Sequence, residues 1–251
     1  MTRAPDIAIS PTADALAAEV ARRTLTTLAA AQAARGGASL VITGGGILER
    51  VFGVLGDAPD RGSVDWARVS LWWGDERFVG PDSPDRNDAA AFRAGLSDLP
   101  FVASNIHRMP ALDGPWGDNV DDAAAAYAQE LAAAAPEDSD IPSFDLVLLG
   151  VGPDGHCASI FPGRPDLAER RSSIIAVHDS PKPPPRRVSF SFRALDAAQE
   201  VWLIAAGAEK ADAVAKANSG ADPAVVPSGV PRGKRQTLWL IDEAAAAQLP
   251  R

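Results

Sequence analysis

Short runs rich in Val, Ile, Leu and Trp alternate with longer alanine-rich segments along the whole chain, and no other feature constrains the fold as strongly. Apolar strands separated by helical stretches are the pattern of a mostly parallel sheet covered by helices, which places the chain in the α/β class. The apolar runs predict strands over 6–9, 39–43, 69–73, 144–149, 174–177, 187–192, 201–205 and 237–241. Helices are expected over 12–34, 85–96, 119–134, 208–217 and 243–249, with Thr12 able to accept from first-turn N–H groups. The linker-like stretches 56–63, 113–118, 136–143 and 180–185 bring no change of composition across them, so a single domain over 1–251 is expected.

Composition removes several function classes. Against 24 Lys and Arg stand 33 Asp and Glu, a net charge of −9, which opposes general affinity for nucleic acid but allows a small anion where a few cations converge. No apolar run approaches the roughly 18 to 20 residues of a membrane helix, and the first ten residues lack the long apolar core of a secretory signal, so a cytoplasmic protein with no membrane partner is expected. One cysteine, Cys157, cannot close an internal disulfide, and three histidines leave a Cys/His metal site without ligands, so no metal is expected. No feature demands an oligomer, and a monomer is the expectation.

In open parallel sheets, ligands bind beyond the carboxyl ends of the strands, so the residues following each strand matter most. After 39–43 comes Gly44-Gly45-Gly46, able to turn sharply and aim backbone N–H groups at an anion with the positive end of a helix behind it. A flexible turn without ligand is the alternative for that motif alone. Gly74-Asp75-Glu76-Arg77 packs three charges after Trp72 and Trp73; it is either a salt-bridged turn or a site where Arg77 faces an anionic or oxyanionic ligand, aligned by a neighbouring carboxylate.

The stretch from Gly150 to Gly155 reads G-x-G-x-x-G, with Asp179 24 residues farther on, and so imitates a dinucleotide fingerprint. Asp154 would put a carboxylate into the pyrophosphate loop, and Pro162-Gly163 interrupts the helix the motif needs, so no nucleotide cofactor is expected. A rigid loop presenting Asp154 and His156 for proton exchange fits better. Cys157, beside His156, reads as a small buried hydrophobe and not a nucleophile. Arg187 opens a strand after three prolines and Lys210 opens a helix after Ala206-Gly207; each alone reads as a solvated charge, yet both stand at element ends that can meet the glycine loop.

The series TGGG, WWGDERFVGPDSPDRND, DLVLLGVGPDGHCASIFPG, SPKPPPRRVSFSFRALDAAQEVWLI, GAEKADAV and TLWLIDEAAAAQL resembles, in order and along nearly the entire chain, the 6-phosphogluconolactonases, actinobacterial members above all. These enzymes hydrolyse 6-phospho-D-glucono-1,5-lactone to 6-phosphogluconate in the oxidative pentose phosphate pathway and share a fold with glucosamine-6-phosphate deaminase. The resemblance implies a Rossmann-like three-layer α/β/α domain that takes a phosphorylated sugar lactone without a cofactor. It implies that His156 is the general base, that Asp154 and Arg77 are active-site residues, and that Gly44, Gly45, Gly46, Arg187 and Lys210 hold the phosphate. Asn87 matches the family's asparagine after GDER and, with Asp75, is expected to support the site. Gly46 departs from the pattern, since many members carry a serine there.

Two other readings remain. The deaminases resemble this chain at Asp75 and at Asp154-Gly155-His156, but carry a tyrosine where Arg77 stands and a glutamate where Phe161 stands, and a phenyl ring cannot do that carboxylate's work. A non-catalytic sugar-phosphate sensor needs the phosphate cradle but has no use for His156.

Overall fold

The computed structural model describes residues 5–164 and 170–250. In chain order its strands are β1 (Asp6–Ser10), β2 (Ala38–Ile42), β3 (Val69–Trp73), β4 (Asp75–Arg77), β5 (Ile106–His107), β6 (Leu146–Gly150), β7 (Ile174–Val177), β8 (Arg187–Phe190), β9 (Glu200–Ala205) and β10 (Gln236–Asp242). The α-helices are α1 (Ala13–Arg35), α2 (Gly46–Asp57), α3 (Asn87–Ala94), α4 (Val120–Ala134), α5 (Phe192–Leu195) and α6 (Ala211–Asn218). Seven strands form one sheet in the order β1-β10-β9-β6-β2-β3-β5, parallel at every pairing, as the alternating pattern requires. Every residue of β9 is buried and β10 is buried beyond Gln236, because helices and loops cover both faces of the sheet.

Local chemistry sets the longest helix. Thr12 Oγ1 accepts from Ala15 N at 3.1 Å, Asp14 lies in the first turn of α1 and Arg35 in the last, and Gly36 closes the helix at a left-handed φ of 80°. Leu16, Val20, Thr24 and Leu28 recur every fourth residue on its buried side, and Thr24 satisfies its hydroxyl on Val20 O at 2.8 Å. On α4, Tyr127 Oη accepts from Trp73 N at 3.1 Å and donates to His107 O at 2.8 Å, which fixes the ends of β3 and β5.

The sheet order places the crevice. From β2 the sheet runs outward through β3 and β5; from β6 it runs the other way through β9 and β10. The loops leaving β2 and β6 therefore part at a topological switch point. Thr43 stitches the two loops, its Oγ1 donating to Leu148 O at 3.2 Å and accepting from Gly150 N at 3.0 Å.

Two departures from the sequence reading bear on this architecture. First, β7 and β8 do not join the parallel sheet; with the unanticipated β4 they make a separate antiparallel sheet in the order β4-β8-β7. The chain leaves β3 at Gly74, whose N–H donates to Ile42 O at 2.7 Å while its carbonyl accepts from Phe190 N at 2.7 Å. That single residue therefore hydrogen-bonds to a strand of each sheet. Second, the alanine-rich segment 243–249 forms turns and no helix. Ala245 N turns back to Asp242 Oδ1 at 2.8 Å and Pro250 follows at once, so seven residues are too few to offset helix nucleation.

A buried carboxylate ties the small sheet to α3. Glu76, 1% exposed, accepts from Arg77 N and Asn87 N at 2.7 Å and from Asp88 N at 2.9 Å, with the Arg86 guanidinium 3.7 Å away. Burial pushes its carboxyl up to about 7 against Arg86 and the N–H donors. Glu76→Ala strands those three buried donors and leaves the buried Arg86 with Asp88 as its remaining close carboxylate, and should cost about 3 kcal/mol or more in chemical denaturation. The unfolded carboxyl ionises near 4.5 and the folded one near 7, so the folded state retains the proton longer. The stability of the wild-type chain relative to Glu76→Gln should therefore fall as pH rises across that window, as paired urea melts at several pH values will read.

Candidate active site

The crevice between the β2 and β6 loops is a half-open cavity of about 420 Å³. Of the residues singled out in the sequence, Gly44, Gly45, Gly46, Asp75, Arg77, Asn87, His156, Arg187 and Lys210 all line it. Asp154 does not; it sits behind His156, with its Oδ1 2.5 Å from the imidazole Nδ1.

The histidine loop explains its own glycines. A Cβ on Gly152 would lie 2.0 Å from His156 Nδ1, and Gly155 holds a left-handed φ of 84° with Val226 packed against it. Directly after β6, over residues 151–164, come turns and isolated bridges at Val151, Cys157 and Ile160 and no helix, so the G-x-G-x-x-G spelling lacks the helix that a dinucleotide motif requires at that point. Burial works to raise the Asp154 pKa, but the hydrogen bond and charge of His156, followed by Lys182, outweigh it and hold the carboxyl well below the usual carboxylate range. An ionised acceptor at Nδ1 assigns the proton to that nitrogen, which leaves the Nε2 lone pair free; among the described residues Nε2 has no hydrogen-bond partner. Phe161, itself buried, stacks tilted on the imidazole at 4.6 Å and removes one side of it from solvent.

The glycine loop is shaped by Asn87. A Cβ on Gly44 would fall 1.9 Å from Asn87 Oδ1, Gly45 adopts φ 130°, and Gly46 begins α2 with open space around it. No side chain caps α2, so its first N–H groups and positive end face the cavity. Asn87 Nδ2 donates to Asp75 O at 2.9 Å, and buried Asp75 accepts from Ser159 Oγ at 2.7 Å. Asp75 is thus a brace between α3, the small sheet and the histidine loop.

Cations converge on the opposite wall. Arg77 and Arg187 are direct cross-strand partners on β4 and β8, a like-charge pairing that favours an anion between or beside them. Arg77 donates through Nη1 to Asp85 O at 2.5 Å, while its buried Nε has no partner among the described residues. Arg187, 4% exposed, donates to the carbonyls of Lys182, Pro183 and Pro184 at 3.0 to 3.3 Å, and its Nη1 lies 3.5 Å from Ser159 Oγ. Desolvation lowers the Arg187 pKa, as it lowers that of Lys210, whose ammonium forms no hydrogen bond among the described residues.

Lys182 was not singled out in the sequence. Its Nζ stands 3.3 Å from Asp154 Oδ1 and 3.2 Å from His156 Nδ1, and its one visible signal is a cation embedded in a proline-rich stretch. Cys157 is fully buried, and burial pushes its thiol up, which removes it as a nucleophile. Among the described residues no group of three or more His, Cys, Asp or Glu is arranged to hold a metal ion. Nor is any helix long and apolar enough to cross a membrane.

Comparison with known proteins bears on what this arrangement does. The family described as glucosamine-6-phosphate isomerases/6-phosphogluconolactonase matches residues 11–239. A 6-phosphogluconolactonase of Streptomyces coelicolor is 48% identical over 100% of this chain and 97% of its own length. The solved 6-phosphogluconolactonase of Trypanosoma brucei superposes with a TM-score of 0.82 at 28% identity, covering 100% of both chains. A monomeric glucosamine-6-phosphate deaminase gives a TM-score of 0.78 at 19% identity over 97% of this chain and 99% of its own, a likeness of fold alone.

The two ends of the glycine loop should respond differently to a methyl group. Gly44→Ala drives a Cβ into Asn87 and should lower the affinity for a phosphorylated ligand at least about tenfold, whereas Gly46→Ala, at an unstrained open position, should change it less than about threefold. Calorimetric titration of both variants with 6-phosphogluconate separates them; equal losses would place the close approach to Asn87 outside the site's requirements.

Proposed function

The chain belongs to the glucosamine-6-phosphate isomerase/6-phosphogluconolactonase family, and on that premise we propose that its cavity opens 6-phospho-D-glucono-1,5-lactone to 6-phospho-D-gluconate by general-base hydrolysis. The observation that carries this reading is a cavity-lining imidazole with Nδ1 on an ionised Asp154 and Nε2 free, facing a glycine nest and a set of cations.

His156 Nε2 accepts a proton from water as its oxygen bonds to the lactone carbonyl carbon, and Asp154 steadies the imidazolium. The negative charge then carried by the carbonyl oxygen falls to a cation of the cavity, with Arg77 the leading candidate. Collapse of the adduct re-forms the carbonyl and breaks the bond to the ring oxygen, which takes the proton from His156 and leaves as the sugar hydroxyl; the new acid ionises to the carboxylate. A lactone carbonyl is already electrophilic, so these steps need neither a nucleotide nor an acyl-enzyme. The helix α2 terminus with Gly44, Gly45 and Gly46, together with Arg187 and Lys210, holds the phosphate, while Asp75 and Asn87 keep the walls in place. Residues 1–251 act as one domain, as a cytoplasmic monomer, with no cofactor.

Deaminase chemistry fits less well. Phe161 occupies the position where the deaminases carry their assisting glutamate, and it packs on His156 without any titratable group to offer. A sensor reading leaves the His156–Asp154 pair without a task.

Purified, chelator-treated protein should accelerate opening of freshly generated 6-phosphogluconolactone above its spontaneous rate. His156→Asn should lose about two to four orders of magnitude in turnover while binding 6-phosphogluconate with near-normal affinity. Normal turnover in that variant would overturn the base assignment, and a matching loss of product binding would reassign His156 to ligand binding.

The phosphate assignment is tested on two substrates. Lys210→Ala should weaken the phosphorylated lactone by roughly one to two orders of magnitude, as a lost charged hydrogen bond does, and barely alter residual hydrolysis of unphosphorylated gluconolactone. Equal losses on both would move Lys210 out of the phosphate site.

A further inference from the structure

Lys182 is a third charged partner of the His156–Asp154 pair. Its Nζ shares Asp154 Oδ1 with His156 Nδ1, and stands 3.2 Å from that nitrogen without being able to donate to it, since Nδ1 already carries a proton toward Asp154. The lysine is placed by the fold. Its N–H donates to Ser180 Oγ at 3.2 Å, its carbonyl accepts from Arg187 Nη2 at 3.0 Å, and Ser180 N closes the loop on Pro185 O at 2.8 Å. The buried guanidinium that lines the phosphate end of the cavity therefore also holds the backbone that presents the ammonium to the catalytic pair.

From this juxtaposition we propose that Lys182 is a positioning residue that keeps His156 unprotonated and ready to act as a base, by setting a fixed positive charge beside the imidazole and taking a share of the Asp154 carboxylate. The proposal rests on the general-base reading above and extends it. Asp154 by itself favours the imidazolium, which stabilises the proton-accepting step but works against an unoccupied resting base. An ammonium on the same carboxylate oxygen opposes that tendency. The imidazole can then take the water's proton during the reaction without holding one beforehand.

The other charges around His156 leave Lys182 as the ammonium in contact with the pair. Lys210, which feels the charges of Glu209, Lys182 and Asp154, faces the cavity just before α6 and has no hydrogen bond to the pair. Arg187 reaches the imidazole only through Phe161, its guanidinium 5.6 Å from that ring. Asp75 and Arg77 line the opposite wall and bond to Ser159 and Asp85.

The test reads His156 directly and needs no substrate. The ring resonance of His156, identified among three histidines by its loss in His156→Asn, is followed by NMR against pH in the wild-type protein, Lys182→Met and Lys182→Arg. The titration midpoint should move upward by about 0.5 to 1 pH unit in Lys182→Met, the size expected of one charge at this distance in a nearly aqueous dielectric, and return in Lys182→Arg. The acidic limb of kcat/KM should move with it. An unmoved or lowered midpoint in Lys182→Met overturns the proposal, as does failure of Lys182→Arg to restore it. A loss of rate at every pH with the midpoint unchanged makes Lys182 a substrate-holding residue instead. Absence of lactonase activity in the wild-type protein would sink the functional reading alone, because the titration reports on the charge arrangement regardless.

Discussion

Glu76 puts a buried carboxylate on three main-chain N–H groups, one from its own strand and two from the first turn of α3, beside a buried guanidinium from Arg86. The rest of the site hangs on that contact. It sets where α3 begins and so where Asn87 stands, and Asn87 in turn leaves no room for a side chain at Gly44. It also fixes β4, which carries Asp75 and Arg77 into the cavity wall. A single acidic side chain that never touches the cavity thereby positions the glycine loop, a brace and a cation.

The electrostatics of the cavity run against those of the chain. A protein of net charge −9 gathers Arg77, Lys182, Arg187 and Lys210 around one crevice, with two of the arginines directly opposite each other across a strand pair. Such a grouping is unfavourable when empty and favourable with a phosphate or a developing oxyanion present. A net charge of −9 disfavours polyanions, while a local convergence of cations favours a small anion. Asp154 pairs with Lys182 and His156, and the Asp75 carboxylate is engaged by Ser159 and Asn87, so among the described residues no carboxylate forms an ion pair with Arg77, Arg187 or Lys210.

Much of this was legible in the sequence, for stated reasons. The β3 run Val69–Trp73 is stopped by Gly74, the β7 run Ile174–Val177 lies between Ser172-Ser173 and Asp179-Ser180-Pro181, and both have the limits expected of them. The strand-end loops were identifiable because α/β sheets put ligands there, and of the expected site residues all but Asp154 line the same cavity. Strand β4 was hidden, because three charged residues carry no β pattern and pair only through main-chain contacts with a segment more than a hundred residues away. The helix expected over 243–249 failed because alanine propensity over so short a run cannot prevail over an Asp242 side chain that caps a turn.

The sequence by itself determined the α/β class and marked the strand-end loops, the one carrying Asp154 and His156 among them, since periodicity and loop chemistry are local properties. Only the tertiary structure decided which charges meet. That β2 and β6 lie side by side, that Arg77 faces Arg187, and that Lys182 reaches Asp154 across a separation of 28 residues follow from sheet order and register. Those are set by the packing of the whole core, and no local window of sequence contains them.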